Sequence, residues 1–218
     1  MNQLNSNIYL PVSLGEAIDK LTILDIKLQK IKDSRKLDVQ KEYDLLYSKL
    51  EQFVTKYSDL YQTMKKVNIL IWDMMDMLRG ISILEEEYLR ICRETIELND
   101  VRFRVKNKIN YVSNSELREQ KSYRINRIVI DIADEITDID NFIIPIKYFS
   151  YIYDEIVIFS QNEQLKTEFS YDPTIRFLLE SEEHIEYQNR FTFFNREYET
   201  HELYSIFALN DETVKRIL

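Results

Sequence analysis

The chain has 218 residues, 44% hydrophobic and 31% charged, with a net charge of −9. This is an ordinary soluble composition, long enough for one large domain or two small ones, and its acidic balance argues against a general nucleic-acid binder. Two glycines, two histidines and one cysteine leave no material for a glycine-rich phosphate loop, a Cys/His zinc site or an internal disulfide. No cofactor and no metal are expected. The lone Cys92 fits a reducing compartment. The start, MNQLNSNIYL, lacks a signal-peptide pattern, and no run of about 20 apolar residues is present to span a membrane. A cytoplasmic protein is expected.

The most strongly specified segment is Pro11 to Ile31. Ser13 and Glu16 form the S-x-x-E pattern of a capping box. Apolar residues then fall at Leu14, Ala17, Leu21, Leu24, Leu28 and Ile31, alternating steps of three and four as in a heptad seam. Ile18, Ile23 and Ile26 widen that face, so the helix is expected to touch several neighbours. A second helix follows over about Leu37 to Ser58, with Leu46 and Leu50 inward. A third, about Asp59 to Arg79, carries Ile71 and Met74, with Gly80 as its C-cap. Trp72, Met74, Met75 and Met77 read as core at helical spacing. A fourth helix begins near Leu84 with Tyr88, Ile91, Thr95, Leu98, Val105 and Ile109 on one side. It either runs through Asn99-Asp100 or bends there. Cys92 shares a face with Tyr88, Leu89 and Ile96 and reads as a buried, inert thiol.

After a polar connector, SNSELREQKS, the period changes. Arg127 to Ile132, RIVIDI, and Glu155 to Phe159, EIVIF, are short β-branched runs, with a helical segment around Phe142 to Tyr153 between them. They read as buried strands. Gln161 to Phe169 reads as a helix and Thr174 to Leu178 as a third strand. Arg190 to Phe194 is a candidate fourth strand and Glu202 to Leu209 a closing helix. Alternating strands and helices indicate a parallel sheet. The expected class is α+β: an antiparallel helical bundle over residues 1–122, then a small half-Rossmann-like α/β region over 123–218 with about three parallel strands. Ile128, Ile130, Ile156, Ile158 and Phe177 should form the sheet core.

Three polar groups are candidate sites, and no catalytic residue stands out. The first is the polar side of the opening helix: Glu16, Asp19, Lys20, Asp25 and Lys27, which also reads as a cap and a solvated face. The second is a basic run. Between Val101 and Arg127 lie eight cations, among them Arg102, Arg104, Lys106 and Arg124, against only Glu116 and Glu119. Such a concentration suits a phosphate-bearing ligand, although a period of two wraps around a helix instead of lining one face. The third is the acidic stretch Asp131, Asp134, Glu135, Asp138 and Asp140, expected outside the carboxyl ends of the strands where α/β sheets bind ligands.

The motif PVSLGEAIDKLTILDIK, Val67-Asn68 with Trp72, Asn99-Asp100 with Arg102, and Lys106 with Ile109-Asn110 together resemble a bacterial family of unknown function over about Tyr9 to Tyr123. The resemblance implies a small helical protein associated with surface-polysaccharide genes and assigns no catalytic residue. More loosely, RIVIDI, Asp140-Asn141, Pro145 and Tyr153-Asp154-Glu155 resemble the first half of heptosyltransferase-type glycosyltransferases. Ile139 replaces the glycine of that pattern, and a second, nucleotide-binding half is not expected within these 218 residues.

The expected function is a non-catalytic or accessory component of surface-glycan synthesis. It would bind a glycosyltransferase partner, or another copy of itself, through the helical region, or a sugar-phosphate or nucleotide-sugar ligand near the basic run. Two alternatives stand beside it: a glycosyltransferase subunit lacking its donor half, and a purely structural helical oligomerisation module.

Overall fold

The computed structural model describes residues 9–80, 84–121, 125–178, 185–209 and Arg216. Four helices come first: α1 (Leu14–Lys30), α2 (Lys36–Lys56), α3 (Ser58–Leu78) and α4 (Glu85–Val112). Ser13 caps α1, its Oγ accepting the Glu16 N–H at 3.2 Å. The other half of the capping box does not form, because the Glu16 carboxylate turns to Lys106 on α4. Only Tyr57 separates α2 from α3. Its hydroxyl donates to the Val112 carbonyl at 3.2 Å, which sets the start of α3 against the end of α4. α4 runs unbroken through Asn99-Asp100: Asn99 Nδ2 donates back to the Thr95 carbonyl and Asp100 pairs with Lys121, so both polar side chains are satisfied on the helix surface.

As the broad apolar face predicts, α1 packs against all three other helices. Leu21, Leu24, Leu50 and Met74 are buried, while Leu28, Leu46 and Ile71 are only half-buried. The widening residues Ile18 and Ile26, together with Met64, Val67, Val105 and Ile109, fill the interior instead. The far end of the α3–α4 hairpin holds a small core of its own, Met74, Ile91 and Leu98. Two helices cannot enclose more, so Met75, Met77, Tyr88, Leu89 and Ile96 are exposed, Trp72 is half-buried, and the Cys92 thiol is half-buried. The face expected to bury Cys92 is thus the open one.

The α/β region runs β1 (Arg127–Ile132), α5 (Asp140–Ile152), β2 (Glu155–Phe159), α6 (Glu163–Glu168), β3 (Ile175–Leu178), β4 (Asn189–Phe193) and α7 (Thr200–Ile206). All four strands are parallel, in the order β3-β2-β1-β4. The fourth strand, NRFTF, has a weak signature because it is an edge, with only Phe193 buried. Ile128 pairs with Ile156 and Ile130 with Ile158, and these four are fully buried, whereas Phe177 near the other edge is partly covered. On the opposite face, Val129 and Val157 are buried between ion pairs of Arg127 with Glu155 and of Asp131 with Arg190.

α5 belongs to both cores. Phe142, Ile146 and Phe149 join the sheet core, and Tyr148 and Tyr151 join the helical one. Among the described residues no helix is long and apolar enough to cross a membrane.

Candidate functional site

The basic run lies on α4, and its period of two sends successive cations to different sides of the helix. Arg104 and Lys108, one turn apart, face the α/β region. Arg104 donates through Nε to Asp154 Oδ1 at 3.0 Å and through NH1 to the Tyr151 carbonyl at 3.1 Å, and its NH2 also pairs with Asp154. Lys108 donates to Ser150 Oγ and Thr174 Oγ1, each at 2.9 Å, and forms an ion pair with Asp172. Its burial pushes the ammonium down to about 8 despite the pull of Asp172. Burial alone would raise Asp172, but the charge and hydrogen bonds of Lys108, with those of Thr174, outweigh it and hold the carboxyl below its ordinary value.

Lys106 points the other way, to α1. It pairs with Glu16 at 2.6 Å and with Glu119 of the segment after α4. Burial works against its charge, but the two carboxylates prevail and raise its pKa. Arg104, Lys106 and Lys108 are all buried. Arg102 is half-buried with no ion pair among the described residues, and Arg124 lies outside the described residues. Of the candidates, Arg104 and Lys106 thus turn to opposite sides of α4, each held by carboxylates. Asp154 and Glu16, the partners of Arg104 and Lys106, lie 50 and 90 residues away in the chain, which is why a local count of charge overstates the free positive potential.

The opening motif has a similar fate. The Gly15 N–H donates to Asn110 Oδ1 at 2.7 Å, and the Leu14 N–H to Ser115 Oγ at 3.3 Å. Asp19, buried on α1, accepts from Asn68 Nδ2 at 2.7 Å, and the same amide donates to Thr22 Oγ1 at 2.9 Å. Asp25 pairs with Lys65 and accepts from the Tyr61 hydroxyl. These contacts tie α1 to α3 and α4. Lys20 makes an exposed ion pair with Glu42 on α2, and Lys27 is half-buried. Glu16, Asp19, Lys20 and Lys27 thus turn to different neighbours.

Of the acidic stretch, Asp131 is on β1 itself and points to the sheet face away from α5. Both its oxygens accept from Arg190. Asp140 begins α5 and accepts from Gln164 at 2.7 Å. A hollow of about 330 Å³ does lie at the carboxyl ends of the strands, lined by Asp134, Glu135, Ser160 and Gln161 among others, but neither Asp131 nor Asp140 reaches it. Beside the paired ends of β1 and β4, Phe142, Phe193 and Tyr198 pack their rings edge to face.

A more promising cleft is one that the sequence did not single out. It measures about 430 Å³ and lies where α3, α4, α5 and the entry to β1 meet. Leu70, Leu98, Val101 and Ile152 provide an apolar wall, and Arg104, Asn126 and Tyr148 provide polar groups. Glu94, Glu97 and Asp100 line α4's side, and Arg216 reaches in to pair with Glu94 at 3.0 Å. Arg104 is neutralised by Asp154, Glu94 is paired with Arg90 and Arg216 and Asp100 with Lys121, which leaves Glu97 as the lining carboxylate with no ion pair among the described residues. Glu85 to Asp100 holds six acidic residues against Arg90 and Arg93. This first half of α4, N-terminal to the basic run, therefore carries more acidic than basic side chains. The 94, 97, 98, 101, 104 spacing was visible as a helical face, but nothing local marks it as the one left uncovered.

No curated protein and no solved structure matches the chain, so the heptosyltransferase likeness gains no support from those comparisons. A family model does match, over residues 8–131, from the approach to α1 through β1 and so across the whole set of α1–α3–α4 contacts described above. The chain belongs to that family, DUF6165, a family of unknown function.

Proposed function

We propose that this protein is a non-catalytic accessory component that binds a protein partner, in the surface-glycan setting that the family resemblance implies. One observation carries the reading. Glu16, Asp19, Arg104 and Lys106, polar residues that the sequence offers as a site, are engaged in contacts that hold the fold together, while the accessible cleft lies at the joint of the two regions, beside the open end of the α3–α4 hairpin. A joint of this kind suits docking, since a bound segment contacts both regions at once.

A second reading, a glycosyltransferase subunit lacking its donor half, is favoured by the strand order β3-β2-β1-β4, which matches the first four strands of a doubly wound sheet. In that reading a sugar-phosphate or nucleotide-sugar ligand would sit at the carboxyl ends of the strands. Incubating the chain with a panel of nucleotide sugars and sugar phosphates separates the two. The binding-component reading expects no sugar transfer and no rise in melting temperature, because a ligand of the folded state raises it. Transfer by the isolated chain would overturn it.

A further inference from the structure

The junction cleft already holds one cation. Arg216 NH1 lies 3.0 Å from Glu94 Oε1, while the other Glu94 oxygen accepts from Arg90 at 3.0 Å. One turn along, Glu97 is exposed and has no ion pair among the described residues. The neighbouring apolar wall of Leu98, Val101 and Ile152 suits the aliphatic stem of an arginine or lysine, which packs on apolar surface while its charged head reaches a carboxylate. Arg104, the cation at the bottom of the cleft, is tied to Asp154 and does not oppose a second positive charge with a free one of its own.

We infer that this cleft docks a basic side chain of a protein partner, and that Arg216 of the chain itself is the internal competitor for the same carboxylates. The inference rests on the reading of the protein as a partner-binding component. Arg216 is tethered 7 residues beyond Leu209, which packs against both cores, so its local concentration at Glu94 is high without a tight contact. The pair is partly exposed, with side chains 43% and 25% accessible. Such a pair is weak and easily exchanged. A partner that places arginine in the cleft therefore displaces Arg216 and gains Glu97 as a further acceptor.

The test uses the full chain and a fluorescent peptide copying its own residues 210–218, added in trans and followed by anisotropy. Arg216→Ala should bind the peptide about two- to fivefold more tightly than wild type, the scale expected for removal of a partly exposed ion pair. In the Arg216→Ala background, adding Glu94→Gln and Glu97→Gln should weaken binding by about fivefold or more, as should raising the salt. Exchanging the peptide's own arginine for glutamine should do the same. Equal affinity of wild type and Arg216→Ala, retained binding after both Gln substitutions, or no peptide binding to any variant would each overturn the inference. Because sugar transfer is measured separately, a chain that binds the peptide and also transfers sugar would sink the proposed function and leave this site standing.

Discussion

Gly15 and Asn110 meet so closely that no side chain fits between them. The Gly15 N–H reaches Asn110 Oδ1 at 2.7 Å, and a Cβ on residue 15 would lie 2.6 Å from the Lys106 carbonyl oxygen and 2.9 Å from Asn110 Oδ1. The backbone of α1 thus rests directly on α4. Gly15→Ala should destabilise the protein by about 1–3 kcal/mol through overpacking, because the oxygen it meets belongs to the α4 backbone and moves only with the helix. Urea unfolding measures this, and an unchanged midpoint would show that the helices separate without cost.

Two lysines, Lys106 on α4 and Lys20 on α1, should behave differently. Lys106→Met leaves Glu16 and Glu119 without their shared buried cation, and because both carboxylates are partly exposed a stability loss of about 1–3 kcal/mol is expected, the scale for losing hydrogen bonds to charged groups. Lys20→Met removes only the exposed pair with Glu42, so it should change stability by less than about 1 kcal/mol. Parallel thermal melts would decide, and equal losses would refute the assignment of Lys106 as a strut.

Arg104 and Arg102 form a second contrasting pair. Arg104→Ala strands Asp154 and the Tyr151 carbonyl at the joint between the two regions and should cost about 3–5 kcal/mol. Arg102→Ala, with no ion pair among the described residues to lose, should stay within about 0.5 kcal/mol. Chemical denaturation of both single variants tests the assignment. A stable Arg104→Ala protein would mean that the Asp154 contact does not hold α4 to the α/β region.

Lys108 and Asp172 should show a pH signature. The folded-state pKa of Lys108 is lowered to about 8 from 10.5, so above pH 8 the unfolded chain binds this proton more than the folded one does. Stability from this group therefore increases as pH rises from about 8 to 10.5. Asp172 has a lowered folded-state pKa, so its contribution is present above its unfolded value and is lost as pH falls through the folded one. The double variant Lys108→Met with Asp172→Leu should be near wild type at neutral pH, since a buried pair is often replaceable by apolar groups, and should lack the alkaline gain. Urea midpoints at pH 7, 8, 9 and 10 for both proteins would show it. A double variant with the same alkaline slope as wild type would assign the slope to another group.

Local pattern carried much of this architecture. The seam of α1 was legible because an interior face repeats every three to four residues whatever it packs against, and Leu21 and Leu24 are buried as that repeat requires. RIVIDI and EIVIF were legible because a strand covered on both faces is β-branched throughout, and both run to the expected ends. The less regular NRFTF shows what is lost at an edge, where one side of the strand meets solvent and selection for apolar residues relaxes. The reach of the apolar face was harder to judge. Ile91, Thr95 and Leu98 are covered by α3 while Leu89 and Ile96, about 100° or more around the same helix, are open, and the position of α3 decides which apolar side is covered.

The amino-acid sequence by itself determined the helices, the strands, the parallel sheet and the family, because each depends on periodicity or on motifs read along the chain. Tertiary structure alone decided what the charges do. Arg104, Lys106 and Lys108 stand two residues apart on one helix, yet their carboxylates come from Asp154, Glu16 and Asp172. Electrostatic partnership depends on distance in space and on the water excluded from the pair, and neither is written in the local order of residues. A run that reads as a basic patch thus supplies three internal struts, while Glu94, Glu97 and Asp100 of the same helix line the cleft.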